Sequence, residues 1–179
     1  MRVISGTARG RRLAEPKDMS IRPTTDKVKE SIFNIVQFDI EGRRVLDLFA
    51  GTGQLGIEAL SRGAASVTFV DEGSQAIKLV NENLKTCGFS AQVIKGSSLS
   101  FLSSCGKFDL IFVDPPYDST LAELALKQII QFDILSDGGI IIFETMRETV
   151  LTPPKEPYFI RREYTYGKVK LTVCGKTPR

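Results

Sequence analysis

Asp47-Leu48-Phe49-Ala50-Gly51-Thr52-Gly53-Gln54-Leu55-Gly56 is the stretch on which the fold turns. An apolar run, Arg44–Phe49, leads into it and a helical pattern, Leu55–Ser61, leads out. Gly51, Gly53 and Gly56 spell G-x-G-x-x-G, in which glycine lets a strand-to-helix turn close tightly and approach a nucleoside-like ligand. Twenty residues after Gly51, at the end of the next apolar run, stands Asp71, whose carboxylate can accept hydrogen bonds from both hydroxyls of a ribose. Asp47 lies beneath the loop, where it would repel a pyrophosphate and welcome a cationic amino group. A nucleotide-type cofactor is therefore expected, and a dinucleotide is disfavoured.

Outward from this loop the chain alternates between strand and helix. Strands are expected at Arg44–Phe49, Ala65–Asp71, Ala91–Lys95, Phe108–Asp114 and Gly139–Glu144. Several are continuously apolar, as in Leu110-Ile111-Phe112-Val113 and Ile140-Ile141-Ile142-Phe143, which suits strands covered on both faces. Helical patterns fill the gaps at Leu55–Ser61, Ser74–Thr86, Ser98–Ser103 and Leu121–Gln131. The rhythm predicts an open α/β sheet with right-handed crossovers.

The ends depart from it. Arg2–Ser5 and Arg11–Ala14 flank Gly6 and Gly10 and read as a hairpin arm. Thr24, Thr25 or Asp26 can cap a helix running to about Phe38, with Val28, Ile32, Ile35 and Val36 inward. Phe159–Tyr166 and Lys168–Cys174 form an antiparallel pair around Gly167, with Lys168 and Lys170 as plain surface. The 179 residues read as one domain, with a basic arm and helix over 1–40 and a catalytic core over 41–179.

Composition removes whole classes of chemistry. There is no histidine, so Ser-His-Asp hydrolysis, Cys-His proteolysis and histidine zinc sites are excluded. Cys87, Cys105 and Cys174 are far apart, which argues against a disulfide framework or a cysteine metal cluster. No apolar run approaches the length of a membrane span, and the opening residues lack a signal peptide's apolar stretch. A cytoplasmic monomer with no metal and no membrane contact is expected. The net charge of +3 hides two basic ends. Residues 1–29 hold 8 Lys/Arg against 3 Asp/Glu, residues 155–179 hold 7 against 2, and the middle is acidic. Arg9, Arg11, Arg12, Arg22, Thr24, Lys27 and Lys29 make the N-terminal part a candidate RNA-binding surface, arginine being suited to phosphate.

Asp114-Pro115-Pro116-Tyr117 closes the fourth strand, whose carboxyl end should face the same crevice as the glycine loop. These residue types suit an exocyclic amine on a nucleobase, whose lone pair is delocalised into the ring. N–H bonds to the Asp114 carboxylate and the Pro115 carbonyl draw the nitrogen toward a tetrahedral, nucleophilic form. The prolines, Pro115 and Pro116, fix that carbonyl, and Tyr117 can stack on an extruded base.

The D-x-x-x-G-x-G loop with an acidic end to the second strand resembles the class I methyltransferases. Asp114–Tyr117 resembles the D/N-P-P-Y/F signature of enzymes that methylate exocyclic amines. The resemblance implies a Rossmann-like, mostly parallel seven-stranded sheet ending in an antiparallel hairpin, with helices on both faces. It implies S-adenosylmethionine as cofactor, held by Asp47, Phe49, Ala50, Gly51, Thr52 and Gly53 at its amino acid end. Asp71 takes the ribose, Glu72, Ser97 and Ser98 complete the cofactor-binding set, and Gly96-Ser97-Ser98 stands where members often carry an acidic or amide residue for adenine. Gly6–Leu13 and Arg22–Ile35, followed by the later motifs in matching order through Tyr117, resemble the opening of the RsmD family. That resemblance implies methylation of N2 of a guanine in 16S ribosomal RNA, in the small (30S) subunit or its assembly intermediate. The alternatives are an adenine-N6 nucleic-acid methyltransferase, for which no target-recognition region is present, and an NAD-dependent oxidoreductase. The second lacks a substrate domain, because only about 35 residues follow the fifth strand.

Overall fold

The computed structural model describes residues 1–16, 25–117 and 120–178. Its elements are α1 (Asp26–Ile35), β1 (Arg44–Leu48), α2 (Gln54–Ser61), β2 (Ser66–Asp71), α3 (Ser74–Cys87), β3 (Gln92–Lys95), α4 (Ser98–Leu102), β4 (Phe108–Val113), α5 (Leu121–Gln131), β5 (Leu135–Met146), β6 (Tyr158–Tyr166) and β7 (Val169–Lys176). The strands form one sheet in the order β3-β2-β1-β4-β5-β7-β6. β1 to β5 are parallel, and β7 pairs antiparallel with both β5 and β6. The seven-stranded sheet with its terminal antiparallel pair is the architecture of the class I methyltransferases. No helix among the described residues is long and apolar enough to cross a membrane.

The period of two explains why the central strands are apolar throughout. Val45, Leu110, Phe112, Ile140 and Ile142 face one side, packing with α1, α2, α3 and the arm. Leu46, Leu48, Ile111, Val113, Ile141 and Phe143 face the other, against α4 and α5. Each strand therefore lies between two apolar layers. β5 begins at Leu135, earlier than the apolar run at Gly139 suggests, because Leu135 pairs with Phe108 ahead of a register shift. α1 is capped by Thr25, whose hydroxyl accepts from the Val28 N–H at 3.4 Å, and it stops at Ile35 rather than near Phe38.

The arm is embedded in the fold. Its strand pairing is reduced to a single Arg2–Arg12 bridge, and Val3, Ala8 and Leu13 enter the core. What holds it is a carboxylate buried in α2. Glu58 accepts the Ile4 N–H at 2.8 Å, the Ser5 N–H at 2.9 Å and Arg62 Nε at 2.9 Å. Gly6 lies so close to α2 that a Cβ there would stand 1.8 Å from the Ser61 carbonyl oxygen.

Lys29 belongs to the same knot, which corrects its assignment to an RNA surface. It is fully buried, with Nζ donating to the Arg2 carbonyl at 2.6 Å and standing 4.0 Å from Glu58. Burial lowers its pKa, with Glu58 opposing the shift. The inward face of α1 runs through Val28, Lys29, Ile32 and Phe33, so the lysine faces inward with its neighbours. Lys170 is likewise not plain surface: it is buried on β7, 3.3 Å from Glu163.

Replacing Glu58 by alanine leaves the Ile4 and Ser5 amides without their acceptor and the buried Lys29 ammonium without its counter-charge, and is expected to lower stability by about 3–5 kcal/mol in urea denaturation. Lys29→Met fills the stem's volume and removes a desolvated charge, so its loss should be much smaller. Equal losses for the two would show that the pair, not the carboxylate, ties the arm down.

Candidate active site

The carboxyl ends of β1, β2, β4 and β5 open onto one cavity of about 720 Å³, a volume typical of small-molecule sites. The chain leaves β1 through Phe49, whose φ of +64° is a strained value for a bulky residue. Gly51 and Gly53 continue at +55° and +74°, where glycine carries no penalty. Gly56 serves packing: a Cβ there would lie 2.2 Å from the Phe69 ring, so its absence lets α2 rest on β2.

Two carboxylates organise the loop. Asp71 accepts the Gly51 N–H at 2.9 Å through one oxygen and the Gly73 N–H at 2.8 Å through the other. It thereby clamps the β1–α2 loop to the β2–α3 loop. A carboxylate offers about four lone-pair sites, so two such bonds are compatible with accepting ribose hydroxyls as well. Asp47 is 1% exposed and accepts the Gly56 N–H at 2.8 Å. Burial pushes its carboxyl up to about 7; the Gly56 N–H opposes the rise and the charge of Asp71 adds to it. A cationic group in the cavity would favour the ionised form, so the donor set fits the amino acid end of S-adenosylmethionine.

Across the cavity, Asp114 is half-buried, Pro115 buried, Pro116 exposed and Tyr117 half-buried. All four line it. The phenol O–H of Tyr117 donates to Glu144 Oε1 at 2.7 Å. The parallel β1–β4 pairing, with Leu48 beside Val113, brings the glycine loop and the Asp-Pro-Pro-Tyr corner to the same rim.

Of the residues marked in the sequence, Asp47, Phe49, Ala50, Gly51, Thr52, Asp71, Glu72, Ser97, Ser98 and Asp114–Tyr117 all line this cavity. Gly53 does not; it precedes α2, and a Cβ there would stand 3.1 Å from Val80 and 3.3 Å from the Phe69 ring. Ser97 has its hydroxyl engaged as the cap of α4, accepting from the Ser100 N–H at 3.3 Å. The arm is outside the cavity: Arg9, Arg11, Arg12 and Lys27 are exposed and none lines it. Arg22 and Thr24 fall outside the described residues. Asn83 nevertheless connects arm to loop, accepting the Ala14 N–H at 2.6 Å and donating to the Thr52 carbonyl at 3.0 Å. Sequence reasoning passed over Gln54, Gln75, Leu99, Leu121 and Glu144, which also line the cavity. Glu144 carried a usable signal, as the charged residue that ends the apolar run of β5.

The family described as conserved hypothetical protein 95, the RsmD family, matches residues 1–175. The chain belongs to this family. Ribosomal RNA small subunit methyltransferase D of Haemophilus influenzae is 38% identical over 175 residues, spanning 94% of this chain and 90% of that protein. YlbH of Bacillus subtilis is 42% identical over 182 residues, spanning 98% of this chain and 99% of its own length. A solved Escherichia coli structure superposes with a TM-score of 0.90 at 33% identity, covering 100% of this chain and 99% of that one. This RsmD-family chain therefore matches its relatives along nearly its whole length, arm and glycine loop included.

Asp47 gives the unliganded protein a testable signature. Its folded pKa of about 7 lies above the unfolded value of 3.8, so between these the folded state holds a proton that the unfolded state has released. Stability is therefore lost as pH rises through that window. The melting temperature of Asp47→Asn relative to the wild type should climb from pH 4.5 to pH 8. A difference independent of pH would show that Asp47 ionises normally.

Proposed function

We propose that this chain transfers a methyl group from S-adenosylmethionine to the exocyclic N2 of a guanine in 16S ribosomal RNA. It would act in the cytoplasm, as a monomer, on the small subunit or an assembly intermediate. The observation that carries this reading is that the loop held by Asp47 and Asp71 shares one cavity with the Asp114–Tyr117 corner. The name of the Haemophilus influenzae relative supports the RNA class of the acceptor.

Asp47 and the Phe49–Thr52 backbone would hold the amino acid end of the cofactor, and Asp71 the ribose, with Glu72, Ser97 and Ser98 around the adenosine. Once bound, S-adenosylmethionine supplies a methyl group already activated by its sulfonium. What remains for the protein is orientation, which is a large contribution by itself. The Asp114 carboxylate and the Pro115 carbonyl accept the two N–H bonds of the amine and withdraw its lone pair from the ring. Pro115 is buried, and the two proline rings fix the backbone that presents its carbonyl. Tyr117 gives the flipped base a face to stack on. As the N–C bond forms, the methyl group's bond to the sulfonium sulfur would break to leave a neutral thioether, and Asp114 would accept the proton that the now acidic nitrogen sheds. Arg9, Arg11, Arg12 and Lys27 contact phosphates from the exposed arm and α1, with Arg22 and Thr24 in the connecting segment. Lys29 takes no part.

Asp114→Ala is expected to lower methyl transfer by at least about 100-fold while leaving S-adenosylmethionine affinity within a factor of two or three. Loss of both would mean a collapsed site and sink the role assigned to Asp114. Affinity for S-adenosylmethionine in the wild type should weaken about tenfold between pH 8 and pH 6, as Asp47 takes up its proton. Calorimetry at the two values checks this, and a flat profile contradicts the contact.

A further inference from the structure

Glu144 follows Phe143 on β5 as Asp114 follows Val113 on β4, and Val113 and Phe143 are paired neighbours. Two acids thus stand side by side at the same level, Asp114 just past the end of β4 and Glu144 within β5. Glu144 is 3% exposed, lines the cavity beside Asp114 and Pro115, and accepts the Tyr117 O–H at 2.7 Å. A carboxylate in so buried a place is unfavourable unless its surroundings need a charge or a pure acceptor. Glu144 thus presents an acceptor-only group to the cavity at the level of Asp114.

We propose that Glu144 reads the target base, accepting the N1–H of guanine while Asp114 and the Pro115 carbonyl hold the N2 amine. The inference rests on the guanine-N2 reading above and deepens it. Guanine carries a ring N–H beside its exocyclic amine, whereas adenine and cytosine present a lone pair in the corresponding position. An ionised carboxylate only accepts. It attracts the first arrangement and repels the second, so one side chain selects among the three bases that bear exocyclic amines. Two neighbouring carboxylates answer two neighbouring kinds of donor. The bond from Tyr117 fixes the direction of the Glu144 carboxylate and ties the stacking face to the edge reader, so that base plane and base edge are registered together.

The test replaces the mapped target guanosine in the small-subunit RNA by 2-aminopurine, which keeps the exocyclic amine and exchanges N1–H for a lone pair. The wild type should methylate the guanosine RNA roughly 100-fold or more faster than the 2-aminopurine RNA, since sites built around a hydrogen bond reject the analogue lacking it. Glu144→Gln can turn its amide donor toward the lone pair, so the ratio should fall below about tenfold, mostly through slower reaction of the guanosine RNA. Tyr117→Phe keeps the stacking face but releases the Glu144 carboxylate from its bond, so the ratio should fall here too, though less far than in Glu144→Gln. If Glu144→Gln instead slows both RNAs equally, Glu144 only positions Tyr117 and the inference is overturned. It is overturned too if Glu144→Gln no longer binds S-adenosylmethionine, which assigns the residue to the fold. A wild type that leaves guanosine unmethylated while binding the cofactor overturns the guanine-N2 reading itself.

Discussion

A carboxylate sealed under the glycine loop, Asp47 on β1, is the constraint around which the site is arranged. The centre of the sheet offers it no solvent, and a single backbone bond from Gly56 does not offset that, so its carboxyl titrates near neutrality. The bond to Gly56 sets where α2 begins relative to β1. The loop between them must then turn through Phe49, Gly51 and Gly53 at positive φ. Asp71 completes the arrangement by holding Gly51 and Gly73 at once. The loop is held in shape by these two carboxylates.

α2 is also where the arm is fastened. Asp47 holds it near the amino end and Glu58 uses its middle to catch Ile4, Ser5 and Arg62. Asn83 adds a third connection, sharing its amide between Ala14 and Thr52. The basic arm and the cofactor loop thus rest on the same two helices. RNA held by the arm and a cofactor held by the loop would be positioned against one rigid support, which is what in-line transfer requires.

Much of this was legible in the chain. A strand buried on both faces must be apolar throughout, so β1, β4 and the core of β5 stood out. A turn that needs positive φ writes its glycines into the sequence, and a corner such as Asp114–Tyr117 has few other uses. What escaped depends on burial that only packing decides. Lys29 looked like one more cation in a basic segment, yet the periodicity of α1 already put it beside Val28 and Ile32, and its partner lies 29 residues away in α2. Glu144 read as the edge of a strand until β4 and β5 were set in register. Gly53 belongs to the motif by spelling, but its close neighbours are Val80 and Phe69, and nothing local announces that.

In the function proposed above the two rims of the cavity would have different tasks, one holding a charged cofactor and the other an uncharged amine, and the chemistry would join them only if both were filled together. The direct test is to incubate the protein with labelled S-adenosylmethionine and small ribosomal subunits from cells that lack it, then digest the RNA and identify the labelled nucleoside by mass spectrometry. Label in N2-methylguanosine from 16S RNA is the expected result. Label in N6-methyladenosine, or none from a preparation that binds the cofactor, would contradict it.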